Sequence, residues 1–195
     1  MITIPEGRLR FQFPDEWDAI KFDDTQWHKQ KMKNKLHAMD ILAIHQQQHW
    51  WIEIKDCESF ETENRPRMST TDPTEVLDTR NWVDTKGWKK KVNVTRRKQY
   101  IVDEILEKLR DTLFSLSIAN RENDVEVSSF SKFVNPSLKI TIVLVLTWNI
   151  IDFKRLAKLL HQKLSTALLP YGLQGFVVNE LTPVPDLNCT ITKIA

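Results

Sequence analysis

Two apolar runs flank the short polar stretch at residues 45–48, and this arrangement limits the local fold more than any other feature of the chain. The first run covers residues 39–44 and the second covers residues 50–56. Apolar runs of strand length around a polar turn predict a β-hairpin. Because strand side chains alternate between two faces with period two, Glu53 and Lys55 are expected on the same face.

The register of this hairpin decides whether Asp40 joins that charged pair. One register pairs Ile44 with His49 across a four-residue loop. In this register Asp40 lies opposite Glu53, and directly opposed side chains share a face with β-carbons about 5 Å apart. A three-residue loop pairs His45 with His49 instead, and moves Glu53 to the other face unless a bulge corrects it. Only the first register places two carboxylates and an ammonium together.

The rest of the pattern predicts an α/β fold with a mixed central β-sheet flanked by helices. Strands are predicted at residues 8–13, 17–22, 139–147 and 176–181, and helices at residues 26–35, 97–119 and 152–169. Residues 139–147 are almost all aliphatic, which is typical of a central strand buried on both faces. A strand, a helix and a strand in this order predict parallel neighbours with a right-handed crossover.

The length of the chain favours one domain over residues 1–195 with a single substantial core. Residues 57–96 differ in composition, since they contain Pro66 and Pro73, many Thr and Asp residues, and no sustained periodicity. This segment is predicted to be a long loop or insertion, with a short helical turn after Pro73.

The sequence predicts a cytoplasmic protein without a membrane segment. No run approaches about 18 apolar residues, and residues 1–6 lack the basic and hydrophobic regions of a signal peptide. Cys57 and Cys189 stand apart, which is typical of unpaired thiols in a reducing compartment. The formal net charge of +2 does not by itself indicate a class of partner. The prediction of a nucleic-acid interface must therefore rest on where the charges lie.

An acid on one strand and Glu-x-Lys on the next suit the hydrolysis of a phosphodiester. Two carboxylates offer hard oxygen ligands to Mg²⁺ or Mn²⁺. The metal lowers the pKa of its bound water, and a lysine beside it stabilises the negative charge that develops on phosphorus. The structural alternative is a pair of solvated charges at a strand end.

Four blocks of the sequence resemble the PD-(D/E)xK nuclease superfamily. A branch of small bacterial proteins in this superfamily carries Lys-Tyr-Asp-Asp, Ala-Val-Asp-Ile-Leu, Trp-Ile-Glu-Ile-Lys-Asp and Lys-Val-Arg-Asp-Thr-Leu. This chain has Lys-Phe-Asp-Asp at residues 21–24, Ala-Met-Asp-Ile-Leu at 38–42, Trp-Ile-Glu-Ile-Lys-Asp at 51–56 and Lys-Leu-Arg-Asp-Thr-Leu at 108–113. Met39 stands where the superfamily has its nominal proline.

The resemblance implies a restriction-endonuclease-like core and a nuclease that acts on DNA or RNA. It implies Asp40 and Glu53 as ligands of Mg²⁺ or Mn²⁺ and Lys55 as the catalytic lysine. Asp56 should point to the opposite face and is expected to be structural. The superfamily often adds another acid from a first helix, which is not evident here. The candidates for that acid are Glu16, Asp18, Asp23 and Asp24.

Two further groups of residues are candidates for nucleic-acid contacts or accessory roles. The first, which we name the basic cluster, consists of Lys86, Trp88, Lys89, Lys90, Lys91, Arg96 and Arg97. It is expected to follow a phosphate backbone and stack a base, or else to be a solvated loop. The second group is Lys108, Arg110 and Asp111 on the helix at 97–119, expected beside the active site or in surface ion pairs.

A metal-dependent nuclease is the function that the sequence favours, with nucleic acid as its partner and no membrane association. The sequence is compatible with a homodimer and does not determine the oligomeric state. The main alternative is a non-catalytic binding or interaction protein on a nuclease-like scaffold, for instance in a defence or toxin–antitoxin system. A third hypothesis is an enzyme with a different phosphoester substrate.

Overall fold

The computed structural model describes residues 1–132, 139–182, 184 and 186–194. The strands are β1 (Ile2–Glu6), β2 (Leu9–Phe13), β3 (Asp18–Lys21), β4 (Ile41–His45), β5 (Gln48–Asp56), β6 (Lys139–Thr147), β7 (Gln174–Val178) and β8 (Thr190–Lys193). The helices are α1 (Gln26–Lys31), α2 (Glu61–Asn64), α3 (Thr74–Thr85), α4 (Ile101–Glu122), α5 (Ser128–Ser131) and α6 (Ile150–Leu168). Short 3₁₀ turns occur at residues 22–24, 65–68 and 169–171. None of the helices described combines the length and apolar character that crossing a membrane requires.

The strands form two sheets, and the larger one confirms the predicted α/β class. Its order is β3-β4-β5-β6-β7, antiparallel from β3 to β5 and parallel from β5 to β7. A second antiparallel sheet, in the order β1-β2-β8, was not predicted beyond β2. Strand β1 was not predicted because it contains Pro5, and proline is tolerated only because β1 is an edge strand. It hides β8 because that strand is short and largely exposed.

The hairpin adopts the register in which Ile44 pairs with His49, as the first of the two alternatives predicted. The ladder runs from His45 and Gln48 to Ile41 and Ile52. The turn is tighter than the expected four-residue loop, because the strands extend as far as His45 and Gln48. The register is unaffected, so positions 40 and 53 remain in phase across the strands.

Both faces of the larger sheet are buried, which explains the almost uniformly apolar strands. On one face Leu42 and Trp51 pack against residues of α4 and α6. On the other face Ile41 and Ile52 pack against the smaller sheet, which contributes Leu9, Phe11 and Phe13. Since side chains alternate along a strand, positions 40, 53 and 55 are in phase with the helical face.

The segment at 57–96, predicted as a long loop or insertion with a helical turn after Pro73, contains more regular structure than a loop. It includes α2, a 3₁₀ turn and the twelve residues of α3. Val83 is the one residue of α3 that is buried. A helix that buries so little needs no apolar stripe, and this is why the sequence shows no helical periodicity.

Arg96 holds the first part of this segment together. Its guanidinium donates hydrogen bonds to the backbone carbonyls of Pro66, Ser69 and Thr70 at 3.1, 2.7 and 2.8 Å. It also pairs with Asp72 at 2.8 Å. An arginine with several carbonyl acceptors fixes a turn that has no core of its own.

The three predicted helices are confirmed, with ends that differ from the prediction by up to four residues. The predicted strands also form, and the last of them runs over Gln174–Val178 instead of residues 176–181. Cys57 and Cys189 are free thiols, as expected.

Candidate active site

Asp40 lies immediately before β4. It forms hydrogen bonds to the segments on both sides of it, beyond the end of the strand pairing. Its carbonyl accepts a hydrogen bond from the Phe22 amide at 2.9 Å. Its Oδ2 accepts one from the Ile54 amide at 2.6 Å, beyond the last residue pair of the hairpin ladder. The residue is 9% exposed. The carboxylate is therefore fixed against β5, with Oδ1 directed to other partners.

Helix α4 fixes the backbone that leads into Asp40. The amide of Met39 donates to the hydroxyl of Thr112 at 3.0 Å, and the amide of His37 donates to Oδ2 of Asp111 at 2.8 Å. Asp111 was a candidate for an accessory role beside the acids. The structure places it on the incoming backbone instead, one turn of helix away from Lys108.

Lys108 lies between the two carboxylates that the sequence selected. Its ammonium donates to both oxygens of Glu53, at 2.7 and 2.8 Å, and to Oδ1 of Asp40 at 3.1 Å. Glu53 is fully buried. Asp40 and Glu53 thus face one another as the register predicts, and a single cation from α4 bridges them.

Lys55 continues the same line of alternating charges. Its ammonium lies 2.5 Å from Oε1 of Glu53 and 2.7 Å from Oε1 of Glu104. Arg67 pairs with the other oxygen of Glu104. We name the set Asp40, Lys108, Glu53, Lys55, Glu104 and Arg67 the charge network. It contains three anions and three cations drawn from β5, α4 and the segments before β4 and after α2.

The buried position of Glu53 governs the protonation of the network. Burial, together with the neighbouring Asp40 carboxylate, raises the pKa of Glu53 to about 7, and the two lysines only partly oppose this. Burial lowers the pKa of Lys108, but Glu53 and Asp40 outweigh it and hold the pKa above its ordinary value. Burial and the Asp40 carboxylate thus disfavour a charged Glu53, and the lysines beside it oppose this effect.

Among the four candidates for a further acid, Asp23 is the one that interacts with Asp40. Burial and the Asp40 carboxylate raise the pKa of Asp23 to about 6. Its Oδ1 is buried and has no hydrogen-bond partner among the residues described. Glu16 and Asp18 are exposed, and Asp24 forms ion pairs with Lys21 and Lys29.

The donor set at Asp40 and Glu53 fits a hard divalent cation. Both side chains offer carboxylate oxygens, and these oxygens already hold a cationic group. No three His, Cys, Asp or Glu side chains are grouped as a metal site in the described part of the chain. Mg²⁺ is commonly bound by one or two carboxylates, with water and substrate phosphates as its remaining ligands. Two protein carboxylates are therefore sufficient.

A cavity of about 690 Å³ opens beside the charge network. Arg67, Glu104 and Lys108 line it, together with Arg96 and Arg97. The opening gives a ligand access to the lysine and arginine ends of the network. The lining contains six lysines and arginines and four acids, so the excess of positive charge favours an anionic ligand.

The basic cluster divides into two parts. Arg96 and Arg97 line this cavity, although the Arg96 donors are already engaged by backbone carbonyls and Asp72. The remaining members, Lys86, Trp88, Lys89, Lys90 and Lys91, are exposed at the end of α3 and in the turns after it. Arg110 is exposed and donates to the Leu106 carbonyl of its own helix.

Glu104 and Arg67 are site residues that the sequence did not single out. Glu104 and Lys108 stand one helical turn apart on α4, and each is directed to the sheet, Glu104 to Lys55 and Lys108 to Glu53. Their shared polar stripe on α4 was a usable signal. Arg67 had none, because its position depends on the fold of the segment after β5.

Comparison of the chain with family models, with curated proteins and with solved structures finds no match. The link to the PD-(D/E)xK superfamily therefore rests on the four sequence blocks.

Proposed function

We propose that this protein is a metal-dependent nuclease with a restriction-endonuclease-like core. Asp40 and Glu53 hold Mg²⁺ or Mn²⁺, and Lys55 is the catalytic lysine. The observation that carries the proposal is the position of the Lys108 ammonium, which contacts both carboxylates at 2.7–3.1 Å. The two carboxylates therefore lie close enough together to share one cation.

The glutamates and lysines of the network each have a role in the proposed phosphodiester hydrolysis. Glu53 and Glu104 hold the Lys55 ammonium between them, so its position is set before substrate arrives. From there Lys55 stabilises the negative charge that develops on the phosphorus oxygens. Lys108 also lines the cavity, so it has room to turn from the carboxylates towards a substrate phosphate. When bound, the metal supplies a water of lowered pKa and neutralises phosphate charge.

The test is cleavage of labelled single-stranded and duplex DNA, and of RNA, with Mn²⁺, Mg²⁺ or EDTA. We expect cleavage that requires the metal and falls about a hundredfold or more in Asp40→Asn, Glu53→Gln and Lys55→Met. Asp18→Asn is a matched control, since Asp18 is an exposed acid on β3 of the same sheet. Equal cleavage by all variants would attribute the activity to a contaminant and refute the assignment.

A non-catalytic binding protein is the second candidate, and one observation favours it. The charge network is internally balanced, with each acid paired to a lysine or arginine. A balanced buried network is able to fix the fold on its own, without a metal.

Thermal unfolding with and without Mn²⁺ separates the two candidates. The nuclease proposal predicts a rise in Tm on adding Mn²⁺ that is absent in Asp40→Asn, because a ligand of the folded state stabilises it. The binding-protein candidate predicts no shift in either protein.

A further inference from the structure

The segment from the start of α3 to the start of α4 carries more than the whole net charge of the chain. Residues 74–98, which we name the binding arm, contain eight lysines and arginines and three acids, a formal charge of +5. The complete chain has a charge of +2, so the remainder is at −3. A polyanion is therefore attracted to this part of the surface.

Two tryptophans stand exposed in the middle of this positive charge. Trp82 is 53% exposed and Trp88 is 43% exposed. Their rings meet edge to face, with centroids 5.7 Å apart at an angle of 84°. The Lys86 ammonium lies 6.0 Å from the Trp82 ring centre. Large aromatic side chains usually bury most of their surface, so two exposed rings in one place point to a ligand.

Several cations of the arm have no ionic partner in the structure. Lys89 pairs with Asp84, and Arg80 pairs with Asp72. Over the described residues no ion pair involves Lys90, Lys91 or Arg97. These side chains are exposed, and Lys90 and Lys91 follow Trp88 directly in the chain, so they are available to phosphate groups.

The arm is continuous with the candidate active site. A smaller cavity of about 360 Å³ is lined by residues of the arm that include Lys89 and Arg80. Arg80 also lines the 690 Å³ cavity, which Glu104 and Lys108 of the charge network border. Arg80 therefore joins the arm to the cavity that reaches Lys108, the side chain in contact with Asp40 and Glu53.

We propose that the binding arm binds single-stranded nucleic acid, with bases stacked on Trp82 and Trp88 and phosphates held by Lys90, Lys91 and Arg97. Unpaired bases stack on aromatic rings irrespective of sequence. The bases of a duplex are already stacked on each other and do not reach the rings. The inference rests on the proposed nuclease function only for the fate of the strand, because binding itself needs no metal.

The test is fluorescence anisotropy in EDTA, so that binding is measured without cleavage. The probe is an oligothymidylate of about 20 nucleotides, longer than typical sites of about 4–16 nucleotides, and its comparison is a duplex of equal length. We expect the single strand to bind at least about tenfold tighter. The double variant Trp82→Ala/Trp88→Ala should lose about tenfold or more in affinity for the single strand and little for the duplex.

Matched controls lie elsewhere on the surface. Phe114→Ala removes another exposed aromatic ring, on α4. Lys154→Gln/Lys158→Gln removes two exposed charges of α6, for comparison with Lys90→Gln/Lys91→Gln. Because both tryptophans are exposed, circular dichroism should show an unchanged fold in the double variant.

Several outcomes overturn the inference. Equal binding of duplex and single strand excludes base stacking. Equal affinity of the tryptophan variant and the Phe114 control for the single strand excludes a role of the two indole rings in binding. Displacement of the strand by polyglutamate at the same charge concentration shows a general polyanion site. If the wild-type protein binds the single strand in EDTA but does not cleave it with Mn²⁺ or Mg²⁺, the nuclease function is refuted and the binding inference stands.

Discussion

The ammonium of Lys108 lies 2.7 and 2.8 Å from the two carboxylate oxygens of Glu53. Lys108 belongs to α4 and Glu53 to β5, so this ion pair joins the helical layer to the centre of the sheet. A glutamate without solvent exposure keeps its charge only beside a cation. The pair thus explains how an acid is retained in the middle of an apolar core.

Replacement of Lys108 by methionine should destabilise the protein in the absence of metal. The change leaves Asp40 without its lysine and Glu53 with Lys55 alone. Loss of one partner from a buried ion pair costs about 3–5 kcal/mol in the free energy of unfolding. Urea denaturation in EDTA measures this loss, and Mn²⁺ should recover part of it.

Lys31→Met is the matched control for this variant. Lys31 pairs with Glu122 at the surface, where both side chains are about half exposed. Surface pairs contribute little because water screens them. A loss of stability that is the same in both variants would show that Lys108 is not acting on a buried pair.

Thr112→Val should weaken both the fold and the site. The Met39 amide loses its acceptor, and an unsatisfied buried amide costs about 1–3 kcal/mol. Asp40 follows directly in the chain, so cleavage per folded molecule should also fall. Thr166→Val removes an exposed hydroxyl that bonds within α6 and should leave both quantities near wild type. Unchanged stability of Thr112→Val would contradict the proposed anchoring.

Asp56→Asn should distinguish the role of one face of β5 in stability from the role of the other face in cleavage. Asp56 accepts hydrogen bonds from Arg8 at 2.6 and 2.7 Å and from Thr147 at 2.6 Å, away from the charge network. We expect reduced stability and an unchanged cleavage rate per folded molecule. A cleavage defect as large as that of Asp40→Asn would place Asp56 in the chemistry.

The contribution of His49 to the free energy of unfolding should fall in mild acid. Burial lowers the pKa of His49 from 6.5 to about 4. Below pH 6.5 His49 binds a proton in the unfolded chain but not in the folded chain. The contribution of neutral His49 to the free energy of unfolding is therefore fully present above pH 6.5 and is lost as the pH falls towards 4. The loss is about 3 kcal/mol. Glu53 and Asp23, whose pKa values are raised, titrate with the opposite sign in this range, so the test is the difference between two proteins. Urea denaturation should show that wild type loses stability relative to His49→Gln as the pH falls from 6.5 towards 4.

The sequence predicted the parts of the site that depend on strand geometry. Alternation along β5 and one short turn were enough to place Asp40 opposite Glu53, because these rules act within a few residues. The central strand β6 was equally clear from its aliphatic run. The third strand of the small sheet, β8, was not predicted, since it is short and polar.

The parts that depend on packing between distant elements could not be predicted. Lys108 was expected either beside the active site or in a surface ion pair, and the choice between the two depends on how α4 crosses the sheet. Asp23 differs from the three other acids in its burial and in its nearness to Asp40, which depend on how the turn after β3 packs against the segment before β4. Helix α3 has no apolar stripe because it packs against little else.

The central claim is that the carboxylates of Asp40 and Glu53 form a divalent-cation site that Lys108 fills in the absence of metal. Isothermal titration with Mn²⁺ tests it most directly. We predict saturable binding to the wild type, loss of that binding in Asp40→Asn and Glu53→Gln, and tighter binding in Lys108→Met, where no lysine competes. Absence of binding in the wild type and in Lys108→Met, or equal binding in all four proteins, would contradict the claim.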